Sequence, residues 1–149
     1  MSIDLDTKIR DSITRLLSQR EHSVAEVRHK LVQRGFDKAR VEHYIHLFQQ
    51  EGLLSDERYA EAYVRSRVAK GYGPLYIEQA LTAKQVDEGN ISVALETYED
   101  WCLLAAEVKE KRFGSDAPKD FKSRAKQMRF LQQRGFGFDH IRHAMGENS

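Results

Sequence analysis

The chain has 149 residues, 32% charged and 40% apolar, with a net charge of +1; this is the balance of a foldable soluble chain, sized for one domain or a short array of units. A single cysteine, Cys102, excludes an internal disulfide and a cysteine-built metal cluster. No stretch holds the roughly 18 apolar residues of a membrane span, and the start MSIDLDTKIR lacks the apolar run of a signal peptide, so a cytoplasmic protein is expected.

Charge is spread unevenly. Residues 1–50 hold 9 Lys/Arg against 7 Asp/Glu, residues 51–100 hold 5 against 10, and residues 101–149 hold 10 against 6. A generic nucleic-acid coat is basic throughout; here basic ends flank an acidic centre.

In chain order, Ile9, Ile13, Leu16 and Leu17 mark a first amphipathic helix. Ser23 followed by Glu26 is a capping box, which satisfies two orphan amides at a second helix start. That helix ends in KLVQRGF, Lys30 to Phe36: Gly35 takes the left-handed conformation after the last turn, and Phe36 folds back on Leu31. Val41, Tyr44, Ile45 and Phe48 form the apolar face of a third helix.

The same phrase returns a hundred residues later as FLQQRGF, Phe130 to Phe136, and midway between them ALTAKQV, Ala80 to Val86, fills the same roles. Leu31, Leu81 and Leu131 align, as do Phe36, Val86 and Phe136; the spacing defines an internal repeat of about 50 residues. In the second copy Tyr59, Ala60, Ala62, Tyr63 and Val64 mark the first helix, and Gly73–Pro74 opens the second. Gln85 stands where glycine is expected, so that helix either tolerates about 1 kcal/mol of strain or ends another way. Ile91, Ala94, Leu95 and Tyr98 mark the third. In the last copy Trp101, Leu103, Leu104, Ala105 and Val108 are the apolar residues of a helix that stops near Phe113. No break separates it from the preceding helix, so residues 91–113 form one long helix or two with a kink. GSDAPKD, Gly114 to Asp120, is a loop; Ser123 is expected to cap the next helix, and Ile141, Ala144 and Met145 begin the last.

The fold predicted is all-α: three tandem three-helix, helix-turn-helix-like units, spanning 1–53, 54–100 and 101–149, in an elongated, curved array. The rival is a single nine-helix globule.

Chemistry is sparse. There is no G-x-x-x-x-G-K-[ST] phosphate loop, and the fragments GYG and GFG fit helix boundaries. His43 and His46, like His140 and His143, sit three apart on one helix, but nothing completes a metal set. Cys102 lies in an apolar run, as a buried structural cysteine would. No catalytic, cofactor-binding or metal residue is assigned, and no enzyme activity is expected.

The basic residues are the candidate site. Arg28, Lys30 and Arg34 lie along one helix, Arg65, Arg67 and Lys70 end another, and Lys119, Lys122, Arg124, Lys126 and Arg129 lead to Arg134. Helix C-termini favour such residues in any case; as a set they are expected to line a groove that meets phosphates or an acidic protein surface.

GLLSDERYAEAYVRSR, Gly52 to Arg67, resembles the signature of the RecX family of bacterial recombination regulators, on Leu54, Asp56, Arg58, Tyr59, Ala60, Tyr63, Val64 and Arg67. The flanking blocks SVAEVRHKLVQRGF and GPLYIEQALTAK are similar to the family's as well, so the resemblance covers nearly the whole chain. Departures are Ala80-Leu81 and Lys84-Gln85, where the family usually has Glu-Leu and Lys-Gly, and Ser55-Asp56 in place of two acids. The resemblance implies a non-enzymatic regulator that binds the RecA recombinase and its filament on single-stranded DNA, limiting filament growth, ATP hydrolysis and strand exchange; a monomer is expected, with single-stranded or duplex DNA as a further partner. Of the signature positions, Tyr59 and Ala60 are expected in the core, Asp56 at a helix start, and Arg67 with the basic cluster in contact with the partner.

Two rivals stand beside it. A sequence-specific helix-turn-helix DNA-binding protein would read bases with the helix after Gly35, but that helix mixes Lys38 and Arg40 with Glu42, His43, His46 and Gln49. A small hydrolase would have to use the histidine pairs.

Overall fold

The structure is a computed structural model that describes residues 4–147 of the chain. Its described residues form helices α1 (Leu5–Gln19), α2 (Val24–Gln33), α3 (Lys38–Gln50), α4 (Asp56–Ala69), α5 (Pro74–Ala83), α6 (Glu88–Glu96), α7 (Trp101–Phe113), α8 (Phe121–Gln133) and α9 (Phe138–Ala144). None is long and apolar enough to cross a membrane.

The buried residues divide into three clusters in chain order. Ile9, Ile13, Val27, Leu31, Val41, Tyr44, Ile45 and Leu54 form the first. Tyr59, Ala60, Val64, Ile77, Leu81, Val86, Ile91 and Ala94 form the second. Leu104, Ala105, Leu131, Phe136, Ile141 and Met145 form the third. Each core draws on three consecutive helices, which excludes the single globule. At about 1.5–3 kcal/mol per buried large aliphatic or aromatic side chain, cores this small gain from stacked neighbours.

The helix stop is built three times over. Phe36 N–H donates to Leu31 O (3.2 Å) and Gly35 N–H to Val32 O (3.0 Å); Val86 to Leu81 (3.1 Å) and Gln85 to Thr82 (3.0 Å), and Phe136 to Leu131 (3.1 Å) and Gly135 to Gln132 (3.0 Å), repeat the pair. This is the Schellman ending. Gly35 and Gly135 hold φ of 92° and 95°, and Gln85 holds 63°. The middle stop therefore accepts the left-handed strain rather than ending another way.

Residues 91–113, open to one long helix or two, are two helices: α6 ends at Glu96 and α7 starts anew after Asp100, whose carboxylate accepts from Leu103 N–H (2.9 Å). Two expectations are corrected. Ser123 does not cap α8; Asp120 does, accepting from Ser123 N–H (2.7 Å). A carboxylate at the end of the Gly114–Asp120 loop is as good a cap as serine, and starting there lengthens α8 to 13 residues. Leu103 is 50% exposed, because Leu104 and Ala105 carry the inward face of α7. Cys102 is half-buried rather than buried. At the helix starts that follow expectation, Ser23 and Glu26 form the full capping box, and Pro74 opens α5 after Gly73.

Candidate functional site

The places where polar groups converge are the two joints between units. At the joint of the second and third units, the C-terminal turn of α8 sits on the N-terminus of α5. Gly73 N–H donates to Arg134 O (2.7 Å) and Leu75 N–H to Gly135 O (2.9 Å). Orphan amides of one helix thereby meet orphan carbonyls of another, with dipoles head to tail. Both glycines are required by the close approach: a Cβ on Gly73 would lie 2.6 Å from Gly135 C, and one on Gly135 would lie 2.4 Å from Tyr76 Cβ. Arg134 secures the rim. Its Nη1 donates to Lys70 O (3.0 Å), and its guanidinium lies over Tyr72 (4.8 Å) and Phe130 (5.3 Å). Val68, Tyr98 and Trp101 pack on both the second and the third core.

The first joint is made of side chains. Val24 N–H, at the start of α2, donates to Asp56 Oδ1 (2.8 Å) at the start of α4. A carboxylate in the first turn of α4 thus satisfies an orphan amide of α2, while Ser55 caps α4 itself; burial pushes the Asp56 pKa up, and the Val24 amide pulls it back. Arg58 donates to Glu21 Oε1 (3.1 Å) and Leu53 O (3.1 Å), bracing the linker. Glu26 accepts from Ser23 N–H (3.0 Å) and pairs with Arg20 (2.8 Å). Burial alone would raise the Glu26 pKa, but Arg20 and the Ser23 amide outweigh it and hold it at about 2. His22, 1% exposed, bonds Arg20 O through Nδ1 (3.0 Å) and Lys30 Nζ through Nε2 (3.3 Å), and burial lowers its pKa.

The ten candidate residues do not share one groove. Lys70 and Arg134 come together in a cleft of about 630 Å³ between the second and third units. There they are joined by Lys111 and Arg112 from the last turn of α7, with Glu107 as the acid and Val68, Leu104, Val108, Tyr98 and Phe130 as the apolar lining. Arg112 lies over Phe130 at 5.2 Å, so Arg112 and Arg134 both rest on one ring, aromatic packing that fixes two planar cations. Arg28 lines a second cleft, about 490 Å³, between α2 and the end of α5. Arg67 lines a third, about 360 Å³, with Tyr59, Tyr63, Glu26 and Lys84, and stacks on Tyr63 at 5.3 Å. Arg34, Arg65, Lys122, Lys126 and Arg129 are exposed outside these clefts. Arg28 and Arg124 are ion-paired, with Glu42 and Glu147.

Lys111 and Arg112 were missed because cations in a last helical turn read as dipole partners; only the fold sets them opposite Lys70. The signature residues also become intelligible. Tyr59 (5% exposed) and Ala60 (0%) are core, as expected, while Asp56 and Arg58 are joint residues.

Among the described residues, an all-helical array of three repeated units, with cations gathered where two units meet, defines a helical repeat protein. The chain matches the models of the first, second and third three-helix domains of RecX over residues 10–46, 55–95 and 100–145. It is 43% identical over 137 residues to the regulatory protein RecX of Halorhodospira halophila, covering 91% of this chain and 85% of that one. To the regulatory protein RecX of Vibrio vulnificus it is 39% identical over 141 residues, covering 94% and 92%. The crystal structure of RecX from Lactobacillus salivarius matches with a TM-score of 0.83 at 25% identity, over 97% of this chain and 96% of that one. The chain belongs to the RecX family of regulatory proteins.

Proposed function

We propose that this protein is a non-enzymatic, cytoplasmic, monomeric regulator that binds the RecA recombinase in its filament on single-stranded DNA and limits filament growth, ATP hydrolysis and strand exchange. The observation that carries this reading is the cleft between the second and third units, where Lys70, Lys111, Arg112 and Arg134 face a single acid, Glu107. Such a cleft meets phosphates or carboxylates by charge. The three units supply several weak contacts in series, and each bound unit raises the effective concentration of the next. A helical polymer offers matching repeats for such an array. The other basic candidates, Arg28, Arg34, Arg65, Arg67, Lys122, Arg124, Lys126 and Arg129, extend the contact to either side, and direct contact with DNA runs along the same cations.

The duplex-reading rival is not favoured. Arg40 on α3 is paired with Asp6 (3.5 Å) and Glu42 with Arg28, so among the described residues Lys38 is the one lysine or arginine of the would-be recognition helix without an ion pair. Co-sedimentation with RecA filaments, with and without nucleotide and single-stranded DNA, tests the proposal. Pelleting that requires the filament supports it. A protein left in the supernatant, or one that shifts a single duplex sequence without RecA, refutes it.

A further inference from the structure

Two turns of this chain have the same sequence and different surroundings. Gln33-Arg34-Gly35-Phe36 and Gln133-Arg134-Gly135-Phe136 are both Schellman turns, with glycine φ of 92° and 95°. The second is a working dock: its carbonyls receive Gly73 N–H and Leu75 N–H, its arginine covers Tyr72, and its glycine seats Tyr76. Docking leaves Phe136 1% exposed. The first lies at the free end of the array. Arg34 and Gly35 are exposed, Phe36 is half-buried, and a Cβ on Gly35 would meet nothing within 4 Å. The middle turn, Lys84-Gln85-Val86, has a side chain where the others have glycine, and it shares a cleft with the first turns of α2, whose N-cap is Ser23 rather than glycine. There the units stand apart around the 490 Å³ cleft. A tight joint therefore needs glycine on both sides.

We propose that the turn Arg34–Gly35–Phe36 is a preformed docking site for the N-terminus of a helix of the partner protein. That helix carries glycine at its N-cap, a free amide two residues on, and an aromatic side chain beside the cap, as Gly73, Leu75 and Tyr72 do within this chain. The turn offers what the internal joint uses: two carbonyls at the negative end of a helix dipole, a planar cation to cover an aromatic ring, and no Cβ in the way. A second copy of this chain is a poor occupant. Its α5 already holds its own α8 turn, and its free α8 start places Lys122 and Lys126, in the register of Tyr72 and Tyr76, against Arg34. Assigning the helix to a protein partner rests on the regulator reading above.

The variant that tests this is Gly35→Gln. It copies the middle turn, where Gln85 holds a φ of 63° in a folded unit, so the chain folds while a Cβ blocks the seat. In one arm, a synthetic peptide of residues 70–83, the chain's own glycine-capped helix start, is titrated into the full-length protein and backbone amide shifts are followed. The amides of Arg34, Gly35 and Phe36 are expected to move in the wild type and not in Gly35→Gln. Shifts confined to Arg134–Phe136, or equal shifts in the variant, overturn the site. In the other arm both proteins are sedimented with RecA filaments on single-stranded DNA. The variant is expected to bind about tenfold more weakly, the size of two lost hydrogen bonds. Equal pelleting overturns the turn as the partner's seat. Failure of the wild type to pellet overturns the regulator reading instead, and the peptide arm then decides whether the turn docks a helix.

Discussion

Gln85 occupies a backbone conformation that its two counterparts fill with glycine, at a φ of 63°. The left-handed strain exceeds the extra chain entropy a glycine loses on folding, so Gln85→Gly is expected to stabilise the protein by about 0.5–1 kcal/mol, read as a higher urea midpoint at unchanged slope. Glu26 gives a pH signature. Its folded pKa, about 2, lies below the ordinary 4.5, so its contribution is fully present above pH 4.5 and is lost as pH falls toward 2. Glu26→Gln is expected to be less stable at neutral pH and to show a shallower acid slope over that window, followed by circular dichroism. The glycine-ended stops at Gly35 and Gly135, and the oddity at Gln85, were legible in the sequence because helix endings depend on residues within a few positions. The cap of α8 was not: Asp120 and Ser123 are both good caps, and the choice lies in how the Gly114–Asp120 loop packs, with buried Lys109 Nζ donating to Gly114 O (3.1 Å) and Asp116 O (2.9 Å).

Between elements, the two joints differ in kind. The second is backbone on backbone with shared core residues; the first is a carboxylate cap and the Arg58–Glu21 ion pair, of the exposed type that adds little stability. Hydrogen exchange is therefore expected to show the 51–55 linker and the Val24 amide opening at lower free energy than the amides of Gly73 and Leu75; equal protection would contradict this. Gly135→Ala adds left-handed strain and a clash with Tyr76. It is expected to cost about 2–4 kcal/mol in chemical unfolding. Periodicity made nearly every helix legible, since apolar spacing reports which face is inward. The joints were hidden. Nothing local marks Asp56 as the acceptor for Val24, or pairs Gly73 with Gly135, because both contacts cross long stretches of sequence.

For the whole molecule, the uneven charge of the sequence acquires a location. The basic third unit and the last turn of α4 enclose one cationic cleft, and the cations outside it are dispersed or paired. If that cleft engages the partner by charge, binding weakens as salt rises. Lys70 and Lys111 are exposed and lack any ion pair among the described residues, so reversing both leaves the fold intact. The most direct measurement is the rate of ATP hydrolysis by RecA on single-stranded DNA as substoichiometric protein is added. The wild type is expected to slow it, and folded Lys70→Glu/Lys111→Glu to slow it far less. A rate untouched by the wild type, or slowed equally by both proteins, would contradict the account.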